Sequence, residues 1–169
     1  MIVYMVEHLF SRPDWESEWN AWYEKNLKIL LAVPGFLSGQ RFRNAAKEPR
    51  YMAMYTVESP AVFESEVYLA AGGGGTNSRR FREAYAVWIR NLFSTDSIAP
   101  PVKDNEYLWV EDVTTPPLTV SAGALCLPCV GLHQTTAYRC LSLHQTIPTL
   151  VAANTLVYRS ITPQQGPLY

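Results

Sequence analysis

The stretch NAWYEKNLKILLAVPGFLSGQRF (residues 20–42) constrains the fold more than any other, because a helical pattern changes into a strand pattern across one proline and one glycine. Apolar and aromatic side chains recur three or four positions apart over residues 15–31, which predicts an amphipathic helix of about five turns. Ser11 is its expected N-cap. Pro34 and Gly35 end it, because the residue before proline avoids the helical region and glycine accepts a left-handed turn.

Strand patterns flank this helix on both sides. Residue composition predicts strands over residues 2–10, 36–43, 51–57 and 106–113, and further helices over residues 59–70 and 78–93. The resulting order, β-α-β-β-α-β, is typical of a ferredoxin-like unit with an antiparallel sheet, so we predict an α+β fold. Such a sheet leaves one apolar face open, and we expect it to close into a barrel with a second half, either from a homodimer partner or from the tail.

Charge is distributed unevenly along the chain. Residues 1–112 hold all fifteen acidic residues and twelve of the fourteen Lys and Arg, while the formal net charge is -1. A near-neutral chain gives no electrostatic reason to expect nucleic acid or an anionic membrane as a partner.

The uneven charge suggests a division into a ferredoxin-like half, residues 1–115, and a charge-poor C-terminal extension, residues 116–169. GLHQTTAYR (131–139) echoes GFLSGQRFR (35–43), and TLVYRSITP (155–163) echoes YMAMYTVESP (51–60). The extension is therefore either a reduced second half-repeat or a chance similarity between strands.

The N-terminal sequence MIVYMVEHLF lacks the basic region of a signal peptide. No apolar run reaches the roughly 18 residues of a membrane span. Three cysteines are an odd number, which argues weakly against a secreted disulfide framework. We expect a soluble cytoplasmic protein.

The segments WNAWYEKN, LLAVPGFLSGQRFR and EPRYMAMYTVESP resemble bacterial dimeric α+β-barrel proteins related to the EthD-like families. VYRSITPQ (157–164) is similar to the C-terminal strand of longer members built from two fused halves. The resemblance is strongest over residues 20–60, and it implies a barrel that holds small aromatic or polyketide-like molecules. Many relatives carry a histidine on the first helix where this chain reads EKNLKILL, so no role of that histidine carries over.

His8 is the residue that we expect to act as general base or acid. It lies beside Glu7 at the end of the first strand, and strand alternation sends one of the two into the barrel and the other to the helix side or rim. Histidine titrates near neutral pH, which suits proton transfer, and the resemblance implies strand histidines and tyrosines in this role. A hydrogen-bonded structural histidine is the alternative.

Arginine and tyrosine share strand faces further along the chain. Tyr51 and Tyr55 lie four positions apart, and Arg41 and Arg43 lie two apart, so each pair faces one side of the sheet. Such residues hold an enolate or carboxylate and stack an aromatic ring. We expect Tyr55 and Arg43 to polarise a substrate oxygen, and Tyr51 and Arg41 to bind substrate. Core tyrosines and solvated arginines are the alternative.

One acid and three aromatic residues complete the predicted site. Glu111 shares a strand face with Trp109, where burial would raise its pKa and make it a reserve acid or base. A rim carboxylate paired with an arginine is the alternative. Trp109, with Trp88 and Tyr85 from the predicted helix over residues 78–93, is expected to line an apolar substrate pocket.

The run GGGG (residues 72–75) precedes SRR but lacks the ending of a phosphate loop. We expect a linker or a lid hinge over one barrel mouth. An anion site formed by Ser78, Arg79 and Arg80 is the alternative.

Cys126 and Cys129, with Cys140 and His144, have a spacing compatible with tetrahedral zinc. Their apolar surroundings favour small buried cysteines instead, and we expect no metal.

Together these patterns favour a cofactor-independent enzyme that performs general acid–base chemistry on a small aromatic or polyketide-like molecule. Cyclisation, dehydration, decarboxylation, isomerisation and oxygenation all remain open. The alternatives are a haem-binding protein with His8, His133 or His144 as axial ligand, and a non-catalytic binding or assembly protein.

Overall fold

The computed structural model describes residues 1–46, 48–119, 123–147 and 152–169. Its helices are α1 (Glu16–Leu31) and the short α2 (Glu66–Ala70), and 3-10 turns lie at Pro13–Trp15, Pro60–Glu64, Gly73–Gly75 and Arg79–Ala84. The strands are β1 (Ile2–Phe10), β2 (Phe36–Asn44), β3 (Arg50–Val57), β4 (Tyr85–Ser94), β5 (Tyr107–Val113), β6 (Leu125–Leu132), β7 (Tyr138–His144) and β8 (Thr155–Ser160).

The eight strands form a closed barrel in the order β1-β3-β2-β8-β5-β7-β6-β4, and every neighbouring pair is antiparallel. The α+β fold predicted from the sequence is therefore confirmed. Strands β4-β1-β3-β2 and β8-β5-β7-β6 form two runs with the same internal order. A single chain supplies both, so the tail closes the barrel without a partner.

The helix predicted over residues 78–93 is wrong. Residues 79–84 form a 3-10 turn, and β4 takes the rest, paired with β1 and β6. Aromatic residues spaced three or four apart also fit a strand whose two faces are both covered. Here the segment forms a strand because it pairs with β1. The helix predicted over residues 59–70 is interrupted at Ser65, which leaves α2 with five residues.

Two details of the sequence predictions change with the structure. Ser11 does not cap α1; its hydroxyl donates to the carbonyl of Ala84 at 3.0 Å. The echoed segments 131–139 and 155–163 fall on the β6–β7 turn and on β8, whereas β6 and β7 hold the positions in the second run that β2 and β3 hold in the first. The division at residue 115 stays a prediction.

Two separate cores form on opposite faces of the first four strands. The barrel interior is filled by side chains from both runs of strands, among them Met5, Phe42, Met54, Leu108 and Tyr158. The other core lies between the outer face of the sheet and α1, whose buried stripe is the predicted one: Trp19, Tyr23, Leu27, Leu30 and Leu31. Helix α1 ends at Ala32, and Gly35 takes the left-handed φ of 92° that its turn requires.

Cys126 and Cys140 lie opposite each other in the β6–β7 register and form a disulfide, while Cys129 is a free thiol. The prediction of small buried cysteines is therefore wrong, because all three are only half-buried and two of them are joined to each other. Within the described ranges, no group of three or more His, Cys, Asp or Glu side chains is arranged to hold a metal ion. In the same ranges, no helix has the length and apolar character needed to cross a membrane.

Candidate functional site

The alternation of side chains along β1 shows which face of the sheet carries the candidate site. Tyr4, Val6 and His8 alternate toward α1, whereas Glu7 points into the barrel. His8 therefore lies outside the barrel, under the helix, and not in the interior pocket that the sequence suggested. In the sheet register, His8 lies between Trp88 on β4 and Tyr51 on β3.

Aromatic rings surround the buried imidazole of His8. Its ring centroid lies 5.4 Å from that of Trp19, 5.6 Å from that of Tyr23 and 4.6 Å from that of Tyr85. The Trp19 indole donates to the hydroxyl of Tyr85 at 2.9 Å, which fixes both rings. Edge-on contacts of this kind hold the imidazole in one position without giving its nitrogens a polar partner.

A cavity of about 50 Å³ opens beside His8, between the sheet, α1 and the glycine segment (residues 72–75). Its lining is mainly aromatic and small, with few polar groups, and consists of Tyr4, Val6, His8, Trp22, Tyr23, Asn26, Leu30, Tyr55, Tyr68, Gly72, Gly73, Gly74, Gly75, Asn77, Ser78, Trp88 and Arg90. Of the predicted site residues, the structure brings His8, Tyr55 and Trp88 together here.

Three buried polar atoms in this lining have no hydrogen-bond partner among the described residues. His8 Nδ1, the Tyr55 hydroxyl and Arg90 Nε are buried and make no hydrogen bond of ordinary geometry with any described residue, although the Tyr23 hydroxyl lies near that of Tyr55. A buried polar group without a partner costs about 1–3 kcal/mol, so native structures retain few of them. Their occurrence in one cavity is therefore a sign of a binding or catalytic site.

Burial sets the protonation of these groups. Desolvation, with a smaller contribution from the positive charge of Arg41, lowers the pKa of His8 to about 3, so its imidazole is neutral at neutral pH. Burial raises the pKa of Tyr55, so its phenol keeps its proton. The cavity thus pairs a neutral acceptor with a neutral donor.

Arg41 lies buried behind these residues. Its guanidinium donates to the side-chain oxygen of Asn20 at 2.7 Å and lies over the ring of Tyr23 at 4.4 Å. None of the ion pairs among the described residues includes Arg41. This side chain brings a positive charge without a direct ion-pair partner among the described residues close to His8 and Tyr55.

Other predicted site residues lie at the edge of this region or away from it. The Tyr51 hydroxyl donates to Glu16, and the half-exposed Arg43 lies 3.5 Å from the same carboxylate. Glu111 is exposed and accepts from Asn154 at 3.2 Å. These contacts place Tyr51 and Arg43 beside the N-terminal end of α1, with Tyr51 buried, and Glu111 in the second run of strands.

Trp109 is also remote from the cavity. It stacks on His144 with ring centroids 4.0 Å apart, and His144 is hydrogen bonded to Ser142 at 2.9 Å. The structure therefore separates β5 from the group around His8.

The barrel interior holds a buried charge cluster. Arg139 Nη1 lies 2.5 Å from Glu7, and the same guanidinium binds Asp112 through two bonds of 2.7 and 2.9 Å. The hydroxyl of Tyr158 donates to Glu7 at 3.3 Å. These bonds connect β1 of the first run to β5, β7 and β8 of the second, so the cluster joins the two halves of the barrel.

The glycine segment forms the outer wall of the cavity, on the helix side and not at a barrel mouth. Gly72, Gly74 and Gly75 have φ values of 81°, 68° and 86°. The amide of Gly74 donates to the Tyr68 hydroxyl at 3.0 Å. Arg80, one of the residues of the alternative anion site, pairs with Glu18 at 3.1 Å.

We expect Gly75→Ala to destabilise the fold more than Gly74→Ala. Both positions have positive φ, so each alanine costs about 1–2 kcal/mol of backbone strain. A Cβ at Gly75 would lie 2.8 Å from Trp88, whereas one at Gly74 meets nothing within 4 Å. Overpacking adds about 1–3 kcal/mol at the first position only. Urea unfolding of the two variants measures the difference, and equal losses would mean that the segment does not pack on Trp88.

Sequence reasoning missed Tyr4, Tyr23, Tyr68 and Arg90. Tyr4 and His8 are four apart on one strand, so alternation alone indicates that they share a face. Arg90 was not recognised as a site residue because its segment was predicted to be a helix.

Solved structures of similar fold include an anthrone oxidase-like protein, with a TM-score of 0.63 at 11% identity, covering 99% of this chain and 94% of that one. A candidate monooxygenase from Lactobacillus acidophilus NCFM has a TM-score of 0.61 at 10% identity, covering 96% and 95%. A candidate chlorite dismutase has a TM-score of 0.55 at 8% identity, covering 96% of both chains. No family model and no curated protein sequence matches the chain.

Identities of 8–11% establish a shared fold and nothing further. The chain has the α+β barrel fold of these structures. The narrower EthD-like assignment stays a prediction.

Proposed function

We propose that this chain is an enzyme that removes a proton from a small aromatic molecule in the cavity under α1, without a cofactor. The observation that carries the proposal is the pair of buried, unpartnered atoms, His8 Nδ1 and the Tyr55 hydroxyl, in one aromatic-lined cavity. Side chains kept without a partner at this cost are typical of sites where a ligand completes the hydrogen bonding.

His8 is the general base in this proposal. Its lowered pKa keeps the imidazole unprotonated, with a lone pair available to take a proton from an acidic C–H or O–H of the substrate. An anion formed beside the ring then favours the imidazolium, because an opposite charge in an apolar site stabilises the protonated form.

Tyr55 and Arg41 stabilise the anion. Because Tyr55 retains its proton, its hydroxyl can donate to an enolate or phenolate oxygen. Arg41 adds a positive charge from behind the Tyr23 ring. Groups fixed before the reaction are well suited to this work, since they need no reorganisation when charge develops.

The reaction that we favour is oxygenation of an anthrone-type methylene. This choice rests on the names of two structural neighbours, an anthrone oxidase-like protein and a candidate monooxygenase. Loss of one proton to His8 gives a carbanion that reduces O2 directly. The overall change is CH2 + O2 → C=O + H2O, with one oxygen atom in the product and one in water.

Ligand entry requires the glycine segment to move. A cavity of about 50 Å³ is well below the 300–1,000 Å³ or so of typical ligand pockets. Gly72, Gly74 and Gly75 can move outward more easily than residues with side chains, so we assign this segment the role of a lid on the cavity.

Haem does not fit the same region. His8 is enclosed by the rings of Trp19, Tyr23 and Tyr85, so a haem iron could reach its imidazole only by displacing them. His133 accepts from the amide of Arg90, and His144 stacks on Trp109. No step of the proposed reaction involves haem.

Oxygen uptake with 1,8-dihydroxyanthrone tests the proposal, with heat-denatured protein as the blank for autoxidation. We expect saturable uptake with one O2 consumed per anthraquinone formed. A rate equal to the blank, together with saturable binding of the anthrone, would instead favour a non-catalytic binding protein. Homodimer formation and a cytoplasmic location stay predictions, to be tested by sedimentation and by cell fractionation.

A further inference from the structure

A row of four residues crosses the face of the sheet on which the cavity lies. In the strand register, Arg90 on β4 lies opposite Val6 on β1, Val6 lies opposite Ala53 on β3, and Ala53 lies opposite Arg41 on β2. Adjacent strands lie about 4.8 Å apart, so the two arginine backbones are roughly 14 Å apart. Two small apolar residues therefore lie between the two arginines, and of these four residues Val6 and Arg90 line the cavity itself.

Arg90 has an unsatisfied polar atom in the same cavity. Of the five buried side-chain atoms without a partner among the described residues, three belong to the cavity lining: His8 Nδ1, the Tyr55 hydroxyl and Arg90 Nε. The Arg90 guanidinium lies over the Trp88 ring at 4.6 Å, and none of the ion pairs in the described ranges includes it. Its charge is thus held in place without a carboxylate.

Among the described residues, no acidic side chain lines the cavity. The guanidinium of the buried Arg41 behind it donates only to Asn20, a neutral residue, within the same part of the chain. Buried charges in proteins are normally paired, since an isolated ion in an apolar site is costly. Two arginines without carboxylates around one aromatic cavity leave a positive potential that a bound anion would neutralise.

We propose that the ligand of this cavity is an aromatic carboxylate, and that Arg90 is the residue that selects it. The carboxylate accepts from the Arg90 guanidinium, and the ring lies over Val6 and Ala53. The register then places the far part of the ring near His8 and Tyr55, which lie in the rows on either side. Arg41 contributes charge without direct contact. This inference rests on the proposed function and specifies the charge of its substrate.

A matched pair of probes, 1-hydroxy-2-naphthoate and 1-hydroxy-2-naphthamide, tests the inference by titration calorimetry. The two differ in charge and hardly in shape. We expect the wild type to bind the carboxylate about 10- to 100-fold more tightly than the amide, which corresponds to a hydrogen bond to a charged group. The preference should decrease as NaCl is raised.

Arg90→Gln should abolish this preference while leaving amide affinity within about twofold. The matched control is Arg159→Gln, an exposed arginine on β8 in the second run of strands, which should keep the wild-type preference. Arg90→Lys keeps the charge and should retain part of the preference for the carboxylate. This variant still tests the inference if Arg90→Gln fails to fold. Equal binding of both probes by the wild type, loss of both by Arg90→Gln, or binding of neither probe would overturn the inference.

The outcome separates this inference from the proposed function. A carboxylate preference that depends on Arg90, with no oxygen uptake, would leave an anion-binding cavity in a protein that is not an oxygenase. Oxygen uptake with no preference between the probes would leave the enzyme and remove the role assigned to Arg90.

Discussion

His8→Asn should reduce turnover of an anthrone-type substrate by about 10²–10⁴-fold, the usual contribution of a general base. Asparagine is close to histidine in size and keeps hydrogen-bonding groups, but it cannot take a proton at neutral pH. Substrate affinity should change little, because the surrounding rings of Trp19, Tyr23 and Tyr85 remain. Steady-state oxygen uptake measures kcat and KM separately, and we expect the loss in kcat.

The matched control for this change is His144→Asn, which alters a histidine stacked on Trp109 outside the cavity. It should leave turnover unchanged. A similar loss in both variants, or none in His8→Asn, would remove the catalytic role of His8 and leave it a structural residue.

The pH dependence of the same reaction follows from the direction of the shift. Because the pKa of His8 is lowered to about 3, the base stays unprotonated from pH 8 down to pH 5. A kcat/KM profile that is flat over this range is expected, whereas an unperturbed histidine would lose activity below about pH 6.5. Stability should decrease as pH falls from about 6.5 toward 3, since in this window the unfolded chain binds a proton that the folded one does not.

Arg139→Met should cost about 3–5 kcal/mol in the free energy of unfolding, the largest stability effect that we expect in the chain. Its side chain is 3% exposed and lies between Glu7 and Asp112. Removing the guanidinium leaves the Glu7 carboxylate buried without its cation, and only Tyr158 still donates to it. Loss of the cation costs less free energy at Asp112, since its side chain is 37% exposed and its carboxylate stays in contact with water. Urea unfolding followed by tryptophan fluorescence measures the effect.

Two comparisons isolate the cause. The double change Arg139→Met with Glu7→Gln removes both charges and should recover much of the loss, because no buried ion is left alone. Arg12→Met breaks an exposed pair with Asp14 of similar length, 2.8 Å, and should leave stability unchanged within error. If the double variant is no more stable than Arg139→Met, the loss comes from packing and not from charge.

Local patterns in the sequence predicted much of the first half of the fold. The β1 bounds agree with the prediction. In α1 the 3–4 spacing of buried apolar residues continues from Trp19 to Leu31, which is longer than a typical strand and favours a helix. Pro34 and Gly35 marked the change to β2 correctly. In these segments, local preference and tertiary packing favour the same structure.

The rest depended on long-range pairing. Phe81, Tyr85 and Trp88 have helical spacing, yet β4 forms because β1 and β6 offer it partners on both sides. The spacing of these residues alone could not show whether the segment would form a helix or a strand. The β6–β7 disulfide likewise follows from a strand register that the sequence does not specify.

Only part of the candidate site could be predicted, because its other features also depend on long-range contacts between strands and helix. Alternation on β1 indicated that His8 and Glu7 face opposite ways, but it could not say which face meets the helix. The structure places Glu7 in the barrel with Arg139, and His8 under α1. Arg90 could be recognised only once β4 was known to be a strand next to β1.

Proton exchange under nitrogen tests the central claim most directly, because it reports removal of the substrate proton without any contribution from oxygen. NMR in D2O would follow exchange at the methylene of 1,8-dihydroxyanthrone with wild type, with His8→Asn and with buffer alone. We predict that the wild type accelerates exchange well above buffer and that His8→Asn does so about 10²–10⁴-fold less. Exchange at the buffer rate in the presence of wild-type protein, at a concentration where the anthrone is bound, would contradict the assignment of His8 as a catalytic base.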